Sequence, residues 1–338
     1  MKQHFQQIDV TKGLAIISVL LLHSLSRNQL LQSYAVYHIW QAVPLFMILM
    51  GLNLGLSIHA KEQFWRQLYT RKYFTKKAVR IFAPFLVIFV LSALIGYVWE
   101  RLSDRDVLEF SGFTWVGVLP VTGRGNYFIT LLLQSVLLLP IIGYAFSSRP
   151  VLTTIVLLLL EAAFQLWAAQ FGYFDKNNYL YDAAFPRYFS AVAYGLWLSR
   201  LFLQPARWRH LILLAALAMV AAVCLYWLTY TKTDITYLLR PEWESQQVLT
   251  FGYAAFIIWL AIKILPPYSD APPLRVLAEA GRASYHIFLV QVVYFGLAQQ
   301  DLPLWVNLMV CLLLGYLFFR FEKPILAFAL SPILYFSR

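Results

Sequence analysis

The chain has 338 residues, of which 61% are hydrophobic and only 13% are charged, and its mean hydropathy is +0.65. A soluble protein this apolar could not cover its surface with polar groups, so the composition excludes an ordinary soluble domain. The net charge of +11 does not indicate nucleic-acid binding, because the basic residues flank apolar segments as they do in membrane proteins.

Ten apolar stretches are predicted to be membrane-spanning helices. In chain order they cover residues 13–31, 36–58, 80–98, 126–146, 150–171, 186–203, 210–230, 247–265, 283–299 and 303–320. Their long unbroken apolar runs exclude a membrane β-barrel, whose strands alternate in polarity. We therefore predict an all-α integral membrane protein with a single transmembrane domain over residues 1–338 and no appended soluble domain.

Lysine and arginine are unevenly distributed between the predicted loops. Seven of them lie between residues 61 and 80, and nineteen of the 27 fall on the side of the membrane where the chain begins. Because positively charged loops stay in the cytoplasm, we expect both termini there and a multi-pass protein of the plasma or inner membrane. This charge bias also explains the net positive charge without a nucleic-acid partner.

The first predicted helix carries three ionisable residues at a regular spacing: Asp9, Lys12 and His23. Lys12 and His23 are eleven residues apart, which on a helix places them about 20° from the same face and roughly 16 Å apart along the axis. Asp9 precedes Lys12 by three residues and is expected to pair with it. On the predicted helix, His23 lies near the middle of the bilayer.

Each of these residues also has a purely structural interpretation. Lys12 can be a positively charged anchor with Asp9 as its solvated neighbour, and His23 can be a packing residue hydrogen-bonded to another helix. An ionisable side chain deep in a membrane is costly, however, and usually marks a functional site. We therefore favour a functional role for His23.

Three further residues are weaker candidates for an acceptor site or cavity. Asn126 and Tyr127 stand at the start of the fourth predicted helix, where an amide beside an aromatic ring suits a carbohydrate, although an interfacial aromatic belt explains the tyrosine equally well. Glu161 lies in the middle of the fifth predicted helix, and either lines a cavity or stabilises a helix contact. The two cysteines, Cys224 and Cys311, sit in apolar runs, and no metal-binding spacing occurs, so no metal or bound cofactor is expected.

Four segments resemble the acyltransferase-3 family of membrane acyltransferases. They are Asp9-x-x-Lys12-Gly13 with His23 after ten intervening residues, then Val43 to Gly51, Lys76-Lys77-Ala-Val-Arg80 followed by Pro84, and Gly281 to Leu289. Their order matches the order in the family, over nearly the whole chain. Two positions depart from the family pattern. Lys12 replaces an arginine, which keeps the positive charge but removes the planar guanidinium that can make two parallel hydrogen bonds, and Gln291 replaces a second histidine.

The resemblance implies transfer of an acyl group, usually acetyl, from an acyl-CoA co-substrate to a hydroxyl of a surface polysaccharide, lipopolysaccharide or glycolipid. It implies that His23, with Lys12 and Asp9, is catalytic, either as a base that takes the hydroxyl proton or as a covalent acyl carrier. It also implies that Lys76, Lys77 and Arg80 bind the phosphates of the acyl-CoA on the cytoplasmic side; by themselves they indicate only the orientation of the helix.

A transporter or flippase of a lipid-linked sugar is the alternative function from another class. Its spans and few buried charges would look similar, but such proteins often carry related halves and helices broken near the midplane. No internal duplication is visible in this sequence.

Overall fold

A computed structural model describes residues 5–59, 69–110, 117–176, 178–202, 204–205, 207–231, 245–298 and 302–335. Within these ranges the regular structure is helical, with one isolated antiparallel bridge between Leu108 and Val121 and no strand. Part of the predicted basic loop, residues 61–68, lies outside the described residues.

Fifteen α-helices are described, and ten of them correspond to the ten predicted spans. They are α1 (Gln6–Ser24), α2 (Arg27–Gln32), α3 (Ala42–His59), α4 (Arg71–Lys77), α5 (Ala83–Ser103), α6 (Tyr127–Ser148), α7 (Pro150–Gln170), α8 (Tyr173–Lys176), α9 (Asn178–Asp182), α10 (Phe189–Phe202), α11 (Trp208–Tyr230), α12 (Val248–Ile264), α13 (Pro272–Arg282), α14 (Ser284–Leu297) and α15 (Leu304–Tyr335). A π-helical turn, Ala78–Phe82, joins α4 to α5. We call the membrane side on which α1 begins the near side, and the side on which it ends the far side.

Seven stretches of the described chain are long and apolar enough to cross a membrane. They are Gln6–Ser24, Ala35–Ile58, Arg71–Ser103, Tyr127–Ser148, Pro150–Gln170, Trp208–Tyr230 and Leu304–Glu322. The predicted spans at α10, α12 and α14 have 14, 17 and 14 residues. At 1.5 Å per residue these helices are shorter than a hydrocarbon core about 30 Å thick. The all-α fold with several spans is confirmed; the count of ten and the orientation of the termini stay predictions.

The outer helices present apolar side chains to the surroundings. Leu94 of α5, Leu159 of α7 and Val223 of α11 are 59%, 64% and 62% exposed. Rows of such side chains are unfavourable in water but match the hydrocarbon of a bilayer. The core lies instead between α3 and α10, where Ile48 and Val192 are fully buried.

The first helix is shifted toward the N-terminus relative to the prediction of residues 13–31. It begins at Gln6 and ends at Ser24, because the chain is extended at Leu25 and a new helix, α2, starts after Ser26. Ser26 and Gln29 form a capping box: each side chain accepts a hydrogen bond from the other residue's backbone N–H, at 3.3 and 2.9 Å. His23 therefore lies in the last turn of α1, and its predicted place in the middle of a longer span was wrong.

Helix α13 crosses α1 at very close range on the near side. Gly281 of α13 faces the backbone of Asp9 and Gly13, and a Cβ atom on Gly281 would overlap the Asp9 carbonyl oxygen. Helix α13 was not predicted from the sequence, although four small or apolar residues occupy one helical face: Leu274, Leu277, Ala278 and Gly281. This crossing fixes the part of α1 that carries Asp9 and Lys12.

Candidate active site

The imidazole of His23 is half-buried at the far-side end of α1. The ring of Phe295, from α14, packs edge-on against it with 6.0 Å between ring centroids. Its Nε2 atom faces the backbone of Gly125, where a Cβ atom would lie only 3.2 Å away. Gly125 has φ +85°, a left-handed conformation that glycine adopts without steric cost. Glycine thus lets the chain pass close to this nitrogen.

The segment before α6, residues 117–126, is held against His23 by side-chain hydrogen bonds. Arg124 Nη1 donates to the His23 carbonyl oxygen at 3.1 Å. The carbonyl oxygen of Arg124 in turn accepts from Gln291 Nε2 at 3.0 Å. At the other end of the segment, Asn126 Oδ1 accepts from the Leu119 N–H at 3.0 Å, and its Nδ2 donates to the Leu119 carbonyl at 3.4 Å. The predicted acceptor residue Asn126 therefore uses its amide to shape this segment.

Asp9 and Lys12 form the predicted ion pair on the near side. Lys12 Nζ donates to Asp9 Oδ1 at 3.1 Å, and Asp9 is only 5% exposed. Helix α1 is continuous from Gln6 to Ser24, so the separation of roughly 16 Å between Lys12 and His23 along the axis applies. The helix therefore carries a charged pair in its first half and an imidazole in its last turn.

The predicted acyl-CoA-binding residues lie on helices at the near side, not in a loop. Lys76 and Lys77 end α4, and Arg80 lies in the π-helical turn. Lys76 and Arg80 are exposed, while Lys77 is half-buried with its Nζ 5.7 Å from the centre of the Tyr73 ring. π-Helical turns often occur at functional sites.

One hydrogen bond brings this basic segment to the same region as Lys12. The hydroxyl of Tyr285, in the first turn of α14, donates to the carbonyl oxygen of Ile81 at 3.0 Å. Tyr285 follows Gly281 by four residues, and Gly281 contacts the backbone of Asp9. The junction of α13 and α14 therefore contacts both the π-helical turn and the start of α1.

Tyr127 and Glu161, the other two acceptor candidates, belong to a cluster around Arg187. Arg187 is 2% exposed, and its Nη1 donates to Asp182 Oδ1 at 2.7 Å. Tyr127 and Glu161 both lie near its guanidinium. Glu161 Oε2 accepts from the Ser190 N–H at 2.7 Å. Arg187 was not predicted from the sequence, because it lies at the edge of the predicted span 186–203, whereas Glu161 lies in the middle of one.

A buried histidine–glutamate pair was also missed. His286 Nε2 lies 2.7 Å from Glu322 Oε2, and the rings of Phe318 and Phe319 surround the imidazole. The pair connects α14 to α15. Among the described residues, no group of three or more His, Cys, Asp or Glu side chains is arranged to hold a metal ion.

Comparison with protein families identifies the chain. The sequence model of the acyltransferase-3 family, described as an acyltransferase domain, matches residues 5–334. The chain belongs to the acyltransferase-3 family. The family match and the seven apolar stretches together identify a multi-pass membrane acyltransferase. Neither a search of curated proteins nor one of solved structures returned a match.

Proposed function

We propose that this acyltransferase-3 protein transfers an acyl group, most readily acetyl, from acyl-CoA to a hydroxyl group of a carbohydrate acceptor. The observation that carries the proposal is the arrangement on α1, with a charged pair on the near side and an imidazole at the far-side end. Family membership supports the reaction class, and it favours an enzyme over a transporter.

The proposed chemistry assigns His23 to the reacting hydroxyl. As a base, the imidazole takes the hydroxyl proton while the oxygen attacks the thioester carbonyl; the carbon–sulfur bond breaks and the thiolate of CoA leaves with that proton. As a covalent carrier, the imidazole nitrogen would attack the thioester first and the hydroxyl would attack the acyl-imidazole second. Both routes yield one ester and one free thiol.

The acyl donor is proposed to enter from the near side, which we assign to the cytoplasm. CoA carries its phosphates at the opposite end of a flexible arm from its thioester, so the two ends require separate contacts. Lys76, Lys77 and Arg80 supply positive charge on the near side, next to the start of α14. The positive-inside bias of the chain supports this assignment.

Surface glycans provide the test of this function. Mass spectrometry of glycans from cells with and without the gene is expected to show that one acetyl ester per modified sugar disappears when the gene is removed. Restoring the gene should restore the ester, and a His23→Gln copy should not. Identical glycan masses in the two strains, with the protein present in the membrane, would contradict the carbohydrate as acceptor.

Replacing Lys77 and Arg80 together with alanine is expected to raise the apparent KM for acetyl-CoA about tenfold, equivalent to ~1.4 kcal/mol of binding, with little change in kcat. The two side chains are proposed to bind a remote part of the donor, so their loss weakens ground state and transition state equally. Arg71→Ala with Lys72→Ala, which removes the same two charges from exposed residues of α4, is the matched control. An unchanged KM in the double variant would leave these residues with a topological role only.

A further inference from the structure

Gln291 is a wholly buried amide in the apolar helix α14. It is 0% exposed, and only one of its two polar atoms is bonded within the described residues: Nε2 donates to the Arg124 carbonyl, while Oε1 is buried and has no hydrogen-bond partner there. Burying an amide is costly unless its polar atoms are bonded, and an unsatisfied polar group in a folded protein calls for an explanation.

The hydrogen bond from Gln291 is linked through Arg124 to His23. Gln291 holds the carbonyl oxygen of Arg124, and the guanidinium of Arg124 holds the carbonyl oxygen of His23. Gly125 lies between the two side chains: a Cβ atom on it would be 3.2 Å from His23 Nε2 and 3.6 Å from Gln291 Nε2. A small displacement of Arg124 and Gly125 would therefore change the space beside the imidazole.

A single face of α14 supports both the segment and the imidazole. The ring of Phe288 faces Gly125, the backbone of Val292 and Gly296 packs against Gly123, and the ring of Phe295 packs against His23. With Gln291, these positions follow the spacing of one helical stripe. Gln291 supplies the polar contact of this stripe to the segment 123–125, and its neighbours supply the apolar contacts.

We propose that Gln291 is a positioning residue, which holds Arg124 and Gly125 at a fixed distance from the reactive nitrogen of His23. This inference rests on the proposed acyl transfer and goes beyond it by assigning a role to the position where the chain departs from its family's histidine. Reacting groups must be placed closely, and a displacement of about 1 Å can lower a rate about 100-fold. Gln291 touches no reacting atom itself, because its bond is to the backbone of Arg124.

The test replaces Gln291 with methionine, which has a similar size but no N–H donor. Gln291→Met is expected to lower kcat about 10- to 100-fold while leaving the KM for acetyl-CoA within about twofold of the wild-type value. The matched control is Gln41→Met, because Gln41 is also buried and its Nε2 donates to a backbone carbonyl, that of Val36, at 2.7 Å. Gln41→Met should leave kcat unchanged in the folded enzyme.

Hydrogen exchange gives a readout that does not depend on activity. In Gln291→Met the backbone amides of residues 123–126 should exchange faster than in the wild type, and in Gln41→Met they should not. Gln291→His should restore both the slow exchange and most of the turnover, since imidazole Nε2–H can donate to the Arg124 carbonyl.

The outcomes separate this inference from the proposed function. If the wild type is active and Gln291→Met has the same kcat, the positioning role is overturned. It is also overturned if a folded Gln291→His enzyme turns over as slowly as Gln291→Met. If the wild type transfers no acyl group at all, the proposed function fails, and faster exchange confined to residues 123–126 would still support the anchoring of this segment by Gln291. Unchanged exchange would overturn the anchoring as well.

Discussion

Acyl transfer should fall by about 100- to 10,000-fold when His23 is replaced by glutamine, which is the usual contribution of a general acid–base residue. Glutamine keeps hydrogen-bonding capacity but has no titrating nitrogen, so it separates proton transfer from packing. The half-buried ring contacts Phe295 at its edge, and the hydrogen bond from Arg124 goes to the His23 backbone, which the substitution leaves in place. The variant is therefore expected to insert and purify like the wild type.

The measurement is acetyl transfer from labelled acetyl-CoA by purified enzyme in lipid, normalised to folded protein. His38→Gln is the control, because His38 is an exposed histidine whose ring bonds to a backbone carbonyl, that of Ser33, at 2.8 Å. It should transfer acetyl groups at the wild-type rate. A folded and active His23→Gln enzyme would remove His23 from the mechanism and make Glu161 the next candidate for the base.

The helical fold was predictable from the sequence because the length of an apolar segment can be counted directly along the chain. Each of the ten apolar stretches corresponds to a helix in the structure, although three of those helices are short for a span. The end of α1 was mispredicted because Leu25, Leu30 and Leu31 suggest a continuing apolar helix, although residues 26–29 between them are polar. Ser26 and Gln29 carry the signature of a helix start, and their hydrogen bonds outweigh the apolar pattern.

The candidate site was predictable only where its contacts are local. Asp9 and Lys12 are three residues apart, so helical geometry alone predicts their ion pair. The hydrogen bonds that place Arg124 beside His23 and Gln291 beside Arg124 join residues 101 and 167 positions apart in the chain. Helical spacing predicts contacts only between residues a few positions apart, so it could not predict these bonds. The family resemblance singles out Gln291, where a histidine is expected, but only the fold shows which backbone it holds.

The π-helical turn at Ala78–Phe82 shows a different limit of prediction from sequence. Lys77 and Arg80 are three residues apart, a spacing that in an α-helix would place them on one face. The structure places Arg80 in a turn with i→i+5 bonding, in which the angle between successive side chains differs from that of an α-helix. Apolar periodicity does not report such a turn, because the residues that form it, Ala78 to Phe82, read equally well as α-helix.

Lys12→Ala is expected to reduce acyl transfer about 100-fold, the cost of removing one electrostatic contact from an active site, whereas Lys12→Arg should retain most of the activity because it keeps the positive charge. Alanine also leaves the Asp9 carboxylate, 5% exposed, without the cation that lies 3.1 Å from it. Breaking a buried pair by removing one partner can cost about 3–5 kcal/mol of stability. A loss of activity in this single variant therefore mixes two causes.

The double variant Asp9→Asn with Lys12→Ala separates these causes, because it removes the carboxylate's negative charge together with the cation. We expect it to regain the thermal stability lost in Lys12→Ala while acyl transfer stays low, since the proposed role of the pair needs the positive charge. Lys263→Ala is the control for charge alone; its Nζ donates to the backbone carbonyl of Gln204, on another part of the near side. Recovery of both stability and transfer in the double variant would show that Lys12 acts only by pairing with Asp9, and would restrict the catalytic assignment on α1 to His23.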